Sequence, residues 1–174
     1  QQEAGAIVAS ARREIELECE DGTVHDCRLD VVTSDIAEAL DDVEVIMVVL
    51  PASAHRDIAR LCATRLRSGQ IVVLNPGLTG GALEFRRILN QMGCPRDVIV
   101  AETATLIFAS HSTGPAQACI SRRKNAVPLA ALPVASEAQL VIGVHSVARR
   151  GRLLGRYDLP NMSGATLLVA DHDG

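Results

Sequence analysis

Two apolar segments stand out in the hydrophobic pattern of the chain, Val43–Leu50, in which Glu44 is the one polar residue, and Ile71–Leu74. Aliphatic runs without polar alternation are typical of strands buried on both faces, as in a parallel sheet covered by helices. Between them, apolar residues recur at helical spacing: Ile58, Leu61, Cys62 and Leu66. This order predicts a βαβ unit, in which both strands end at the same edge of the sheet.

N-terminal to this unit, the pattern predicts a hairpin and a short helix. Alternating residues in Ile15–Cys19 and an extended run over Val24–Val32 flank Asp21-Gly22, a dipeptide that favours tight hairpin turns. Ser34 or Asp35 is suited to cap a short helix that leads into the first central strand.

C-terminal to the unit, the pattern predicts a second helix, a third buried strand and a second hairpin. The helix begins near Gly80 and ends before Gly93. The third strand covers Asp97–Ala101. The second hairpin spans residues 117–133, with the basic segment Arg122-Arg123-Lys124 at its solvated tip.

Composition narrows the class of protein. The 174 residues are enough for one domain with a core, and 48% of them are hydrophobic but only 2% aromatic. A core of Val, Leu, Ile and Ala favours α/β layers. The net charge of −4 gives no electrostatic footprint for nucleic acid or an anionic membrane. No apolar run approaches the roughly 20 residues that a membrane-spanning helix needs.

Neither the five cysteines nor the five histidines have the spacing of a metal site, because there is no CxxC and no pair of histidines four residues apart. We therefore expect no metal, and reduced, structural cysteines in a cytoplasmic protein. A GxSxG elbow is also absent, which argues against a serine hydrolase.

Small and polar residues follow both central strands. Pro51-Ala52-Ser53 comes after the first and Asn75-Pro76-Gly77 after the second. Both tips open at the carboxyl edge of the predicted sheet, where ligands bind in open α/β folds. The glycine-rich run continues to Gly81 and opens a helix. It is therefore either an anion site at a helix N-terminus or a simple tight turn.

Two of the side chains beside this edge each have two interpretations. His55 is either a functional group or a solvated residue in the first turn of its helix. Glu102 either holds a ribose, an amide or an ammonium group, or caps the next segment. Ser53 is a plausible N-cap for a helix that ends near Ser68-Gly69. His111, after the third strand, is next in interest.

Three strings of the sequence, VEVIMVVLPASAH, NPGLTGGALEF and AETATL, together resemble the opine (octopine/nopaline-type) dehydrogenases. The resemblance covers about residues 29–135. It implies an oxidoreductase that uses NAD or NADP for the reductive condensation of an amino acid with a 2-oxo acid. The implied fold is α/β, an incomplete Rossmann-like doubly wound, mainly parallel sheet with β-hairpin additions.

The resemblance also implies which residues of this chain line the cofactor. These cofactor-binding residues lie at the carboxyl edge: Pro51, Ala52, Ser53, His55, Asn75, Pro76, Gly77, Glu102 and Thr105. No catalytic residue is implied within the chain, because in such enzymes the catalytic His belongs to a second, helical domain. A branched side chain at Gly77 is expected to occupy cofactor space and to block hydride transfer.

Two features depart from the family pattern. No GxGxxG fingerprint occurs, and no stretch resembles the helical domain. We expect residues 1–135 to form an incomplete cofactor domain that lacks its first βα unit. Residues 136–174 are expected to be a poorly defined tail, in which 136–149 fits a helix.

From these departures we expect the chain to be a fragment, truncated at both ends and inactive alone. An incomplete sheet exposes an apolar edge, which favours a homodimer. The alternative is a non-catalytic binding or regulatory module on a Rossmann-like scaffold.

Overall fold

The computed structural model describes residues 14–29, 31–33, 35–95, 97–114, 116–124, 126–133 and 166–170. Its first strands are β1 (Glu14–Glu18), β2 (Val24–Arg28), β3 (Val45–Val49), β4 (Ile71–Leu74) and β5 (Ile99–Thr103). They are followed by β6 (Phe108–Gly114), β7 (Gln117–Arg123), β8 (Leu129–Leu132) and β9 (Thr166–Ala170). The helices are α1 (Ile36–Ala39), α2 (His55–Ala63) and α3 (Gly81–Gln91). The helix predicted over 136–149 lies outside the described residues.

The main sheet has five strands in the order β8-β5-β4-β3-β9. Strands β3, β4 and β5 run parallel, which confirms the predicted βαβ unit and the third buried strand. Strands β8 and β9 pair antiparallel along the two outer sides of this parallel core. The side of β3 that the sequence leaves exposed is therefore covered by β9, in a segment where no element was predicted. The result is a Rossmann-like α/β sheet with antiparallel additions.

Buried aliphatic side chains cover both faces of this sheet. On one face, β3, β4 and β5 pack against α2 and α3 through fully buried residues: Ile46, Val48, Ile58, Val72, Leu74, Phe85, Leu89 and Val100. On the other face, Val73 and Ala101 belong to a smaller buried cluster. Leu61, one of the apolar residues that recur at helical spacing, is in fact 43% exposed. Ile58 and Cys62 already fill the contact of α2 with the sheet.

The second sheet has the strand order β2-β1-β7-β6 and joins two hairpins through the parallel pair β1–β7. The hairpin β1–β2 confirms the first prediction, and Gly22 in its turn has a φ of 78°. The hairpin predicted over residues 117–133 is wrong. Strand β7 pairs with β6, whereas β8 pairs with β5 of the main sheet. The largely polar composition of β6 concealed this partner.

The helix ends match the sequence in part. Asp35 caps α1, since its Oδ1 accepts a hydrogen bond of 2.9 Å from the Ala37 amide. Ser53 does not cap α2, because it lies in a 3₁₀ turn over Ala52–Ala54 that leads into this helix without any side-chain cap. Helix α2 also stops earlier than predicted, at Ala63.

Among the described residues, no helix combines the length and apolarity that a membrane crossing requires.

Candidate functional site at the carboxyl edge

The ends of the three parallel strands lie side by side. Val48 of β3 is in register with Leu74 of β4, and the Asn75 amide donates to the Val48 carbonyl at 2.8 Å. The next strand is tied in the same way, because the Gly77 amide donates to the Thr103 carbonyl at 3.1 Å. The two tips that the sequence places at one edge are therefore adjacent.

The predicted site residues differ in their exposure to solvent. Pro51, Ala52 and Ser53 are exposed at the end of β3, whereas Asn75 and Gly77 are buried at the end of β4. Pro76, Glu102 and Thr105 are half-buried. A ligand at this edge would meet the exposed residues directly, and the buried residues would hold the tips in position.

Glu102 caps helix α3. Its Oε2 accepts a hydrogen bond of 2.7 Å from the Ala82 amide, and its Oε1 lies 3.4 Å from the Gly80 nitrogen. A carboxylate at a helix N-terminus satisfies free amides and interacts favourably with the helix dipole. The capping interpretation of Glu102 is thus correct, although the helix it caps precedes it in the chain. The anion position at the glycine-rich turn is filled by the protein's own side chain.

The glycine at position 77 is required by Glu102. A Cβ atom on Gly77 would overlap the Cβ atom of Glu102 and stand 3.0 Å from its Oε2. At Gly81, a Cβ atom would lie 3.3 Å from Glu102 Oε2 and 3.5 Å from His55 Nδ1. Contact with Glu102 is thus a reason for glycine that the sequence does not show, and the space for a cofactor stays a prediction. A larger residue there would first disturb the packing of β4 against β5.

His55 is buried, with only 3% of its surface exposed, so the interpretation as a solvated first-turn residue is wrong. Its Nε2 lies 3.2 Å from the Leu50 carbonyl, to which the protonated nitrogen donates. Burial lowers the pKa of the imidazole, although the bond to Leu50 and the charge of Glu102 oppose this shift. The ring therefore sits beneath the edge as a neutral group at neutral pH.

Thr103 links the second and third tips, a role that the sequence reasoning missed. Its Oγ1 lies 3.0 Å from Asn75 Oδ1 and 3.3 Å from the Leu74 carbonyl, both acceptors for its hydroxyl proton. The signal was available, since a polar residue that ends one buried strand favours a polar partner at the end of its neighbour.

The sequence reasoning also placed Lys124 wrongly. It is exposed, as predicted, but it lies beside the segment that leaves β5 and not at a hairpin tip. Its Nζ donates to Thr105 Oγ1 at 2.7 Å, and its amide donates to the Ile107 carbonyl at 3.0 Å. His111, in contrast, is exposed in β6 of the second sheet.

A metal centre finds no support in the part of the chain that the structure describes, where no three His, Cys, Asp or Glu side chains could hold an ion together.

The comparisons with known proteins agree with this geometry. No protein-family model matches the chain. The opine dehydrogenase of Arthrobacter sp. (strain 1C) is 44% identical over 114 residues, which are 66% of this chain and 31% of that protein. The chain thus spans about a third of the length of this curated relative.

Solved structures show the same fold. Octopine dehydrogenase in complex with NADH and agmatine has a TM-score of 0.66 at 21% identity, over 75% of this chain and 33% of that one. Yersinopine dehydrogenase with bound NADP+ has a TM-score of 0.67 at 19% identity, over 88% and 37%. A ketopantoate reductase from Ralstonia eutropha JMP134 is more distant, with a TM-score of 0.56 at 18% identity, over 90% and 46%. The resemblance seen in the sequence is confirmed, and over the matched 114 residues the chain is a relative of the opine dehydrogenases.

Proposed function

We propose that this chain supplies the NAD(P)H-binding sheet of an opine-type dehydrogenase, which condenses an amino acid with a 2-oxo acid and reduces the product. The observation that carries the proposal is the adjacency of the tips of β3 and β4, with small exposed residues at the end of β3. The 44% identity to an opine dehydrogenase supports it. So do the octopine dehydrogenase structures solved with NADH and either L-arginine or pyruvate.

The residues present fit one half of a dinucleotide. Pro51, Ala52 and Ser53 put small side chains at the open edge, where a ribose and a nicotinamide ring can approach the backbone closely. The N-terminus of α3 does not fit a phosphate, because the Glu102 carboxylate occupies it. We therefore assign the edge to the nicotinamide side of the cofactor.

The chain's own residues would position and shield the cofactor. Thr103 ties the tip of β5 to the tip of β4, and Glu102 ties it to the N-terminus of α3, which fixes the floor of the edge. His55 stays neutral beneath that floor and adds no charge near the ring. The nicotinamide, when bound, supplies the hydride, and a preorganised edge of this kind orients it.

We extend the proposal to domains and location. Residues 1–135 would form the cofactor domain, and the catalytic His would come from elsewhere in the full enzyme. The described cysteines Cys19, Cys62, Cys94 and Cys119 are free thiols, which supports a cytoplasmic protein. A homodimer stays part of the proposal, although β9 covers the side of β3 whose exposure suggested it.

The proposal is tested by titrating the chain with NADH and NADPH while recording nicotinamide fluorescence. Ala52→Leu adds volume at the open edge and should weaken cofactor binding by roughly tenfold or more. Ala109→Leu adds the same volume to an exposed position of β6 and should leave binding unchanged. No binding by the wild-type chain, or equal effects of the two variants, would contradict the assignment.

Turnover is measured separately, with pyruvate and a panel of amino acids. Product formation would establish a working enzyme. Binding of NAD(P)H without any turnover is the result that an isolated cofactor domain predicts, and a non-catalytic module on the same scaffold predicts it too.

A further inference from the structure

An exposed cation, Lys124, lies beside the carboxyl edge and has no role in the function proposed above. Lys124 follows directly after β7, whose last residue, Arg123, is paired with Phe108 of β6. Two hydrogen bonds hold Lys124 beside the segment that leaves β5, one from its amide to Ile107 and one from its ammonium group to Thr105. The ammonium group is thus tethered two residues beyond the end of β5.

Within the described residues, this cation is not neutralised. The partner of Nζ is a neutral hydroxyl, and the ion pairs found there involve other side chains. Arg56, in the first turn of α2, contrasts with it, because its guanidinium lies 3.3 Å from a Glu84 carboxylate oxygen. The position of Lys124 therefore offers a positive charge that Arg56 does not.

A lysine ammonium group has three donors, and Thr105 uses one of them. The remaining donors can bind a carboxylate in charge-assisted hydrogen bonds, which are roughly twice as strong as those between neutral groups. Both substrates of the proposed reaction, the 2-oxo acid and the amino acid, carry a carboxylate. A fixed cation beside the end of β5 can hold either substrate against the edge.

We propose that Lys124 binds a substrate carboxylate and that Thr105 is the positioning residue that holds the ammonium group at the edge. This inference rests on the proposed function, because it takes the substrates from it. The inference gives Lys124 a binding role that its exposed neighbours in the basic segment, Arg122 and Arg123, do not share.

The test measures binding of small carboxylates to the full chain by isothermal titration calorimetry at low salt. The probes are pyruvate for the 2-oxo acid, L-arginine for the amino acid, and agmatine, which is arginine without its carboxylate. Lys124→Met removes the charge and keeps the length of the side chain. Arg122→Met is the matched control, because it removes an exposed cation from β7, where Arg122 pairs with Ala109 of β6.

Lys124→Met should weaken pyruvate or L-arginine binding by roughly tenfold or more, since a hydrogen bond to a charged group is lost. Agmatine binding should not change, and Arg122→Met should have less than a twofold effect, because it alters only the screened surface charge. Which of the two carboxylates responds identifies the substrate that Lys124 holds. Thr105→Val should reproduce part of the loss, and Lys124→Arg should restore most of the affinity.

Equal losses of carboxylate affinity in Lys124→Met and Arg122→Met would overturn the inference. The affinity would then depend on the overall positive charge of this surface and not on one site. An equal loss of agmatine binding would overturn it too, and so would absence of carboxylate binding by the wild-type chain. NADH affinity is recorded on the same samples. If carboxylates bind as expected but NADH does not, the proposed function fails and the carboxylate site stands.

Discussion

A buried amide side chain lies at each end of strand β4, and the two have very different surroundings. Gln70 precedes the strand and Asn75 follows it, and both are about 4% exposed. The amide of Gln70 bonds to three backbone groups: its Nε2 donates to the Val43 carbonyl at 2.6 Å and to Leu40 at 3.4 Å, and its Oε1 accepts from the Arg67 amide at 2.7 Å.

Asn75 is held more loosely. Its Oδ1 accepts from Thr103, but its Nδ2 faces only the Met47 sulfur, at 3.8 Å. Sulfur is a weak acceptor, so the donor capacity of this amide is largely unused. The amino end of the sheet is thus closed by strong bonds that serve the fold. The carboxyl end is held by side-chain pairs and keeps polar capacity next to the open edge.

The largest effect should come from breaking the closed end. Gln70→Leu leaves buried backbone groups without partners and should lower the free energy of unfolding by roughly 3 kcal/mol. Asn75→Leu should cost only about 1 kcal/mol, because Thr103 can still donate to the Leu74 carbonyl. Urea unfolding followed by circular dichroism gives both values. The reverse order would mean that the two ends have been assigned the wrong roles.

The glycines at the two ends test the same contrast with a smaller effect. Gly77→Ala forces a Cβ atom into Glu102 and should destabilise the chain by about 2 kcal/mol. Gly69→Ala at the amino end has open space around it but a φ of 84°, so only the backbone cost of about 1 kcal/mol applies. The double variant Gly77→Ala with Glu102→Gly, which removes the obstructing Cβ atom, should recover part of the loss. No recovery in that variant would show that Glu102 is not the obstacle.

The smallest effect concerns pH, because only the carboxyl end carries a buried histidine. The pKa of His55 is lowered from its ordinary value of 6.5, so the unfolded chain binds the proton more readily than the folded one. The stability contribution of neutral His55 is complete above pH 6.5 and is lost as the pH falls toward the lowered pKa. Unfolding measured from pH 7.5 to 5 should therefore show a loss of stability that His55→Gln does not share. Identical pH profiles would contradict the burial of this ring.

The sequence predicted the parallel core and the candidate edge because both are local signals. Aliphatic runs predict β3 and β4, and the residues that follow each run lie at its tip without further information. The contacts that organise the edge are not local. Glu102 bonds to a helix amide 20 residues earlier in the chain, and Lys124 reaches Thr105 across 19 residues.

Strand pairing was the least predictable feature for the same reason. The composition of the apolar segment β8 suits pairing with β7 as well as with β5, so it does not select the partner. The buried surface of β5 decides the outcome, and that surface is visible only in the fold. The burial of His55 was missed because a helix N-terminus is normally solvated. Here α2 begins against the N-terminal end of α3, near Gly81.

The central claim is that the carboxyl edge of the parallel strands binds the reduced nicotinamide cofactor. The most direct measurement is a titration of the isotope-labelled chain with NADH, followed residue by residue through its backbone amide NMR signals. We predict the largest shifts at Ala52, Ser53 and Thr105, with little change at Gly69 and Gln70. Shifts confined to the amino end, or none at saturating NADH, would contradict the account.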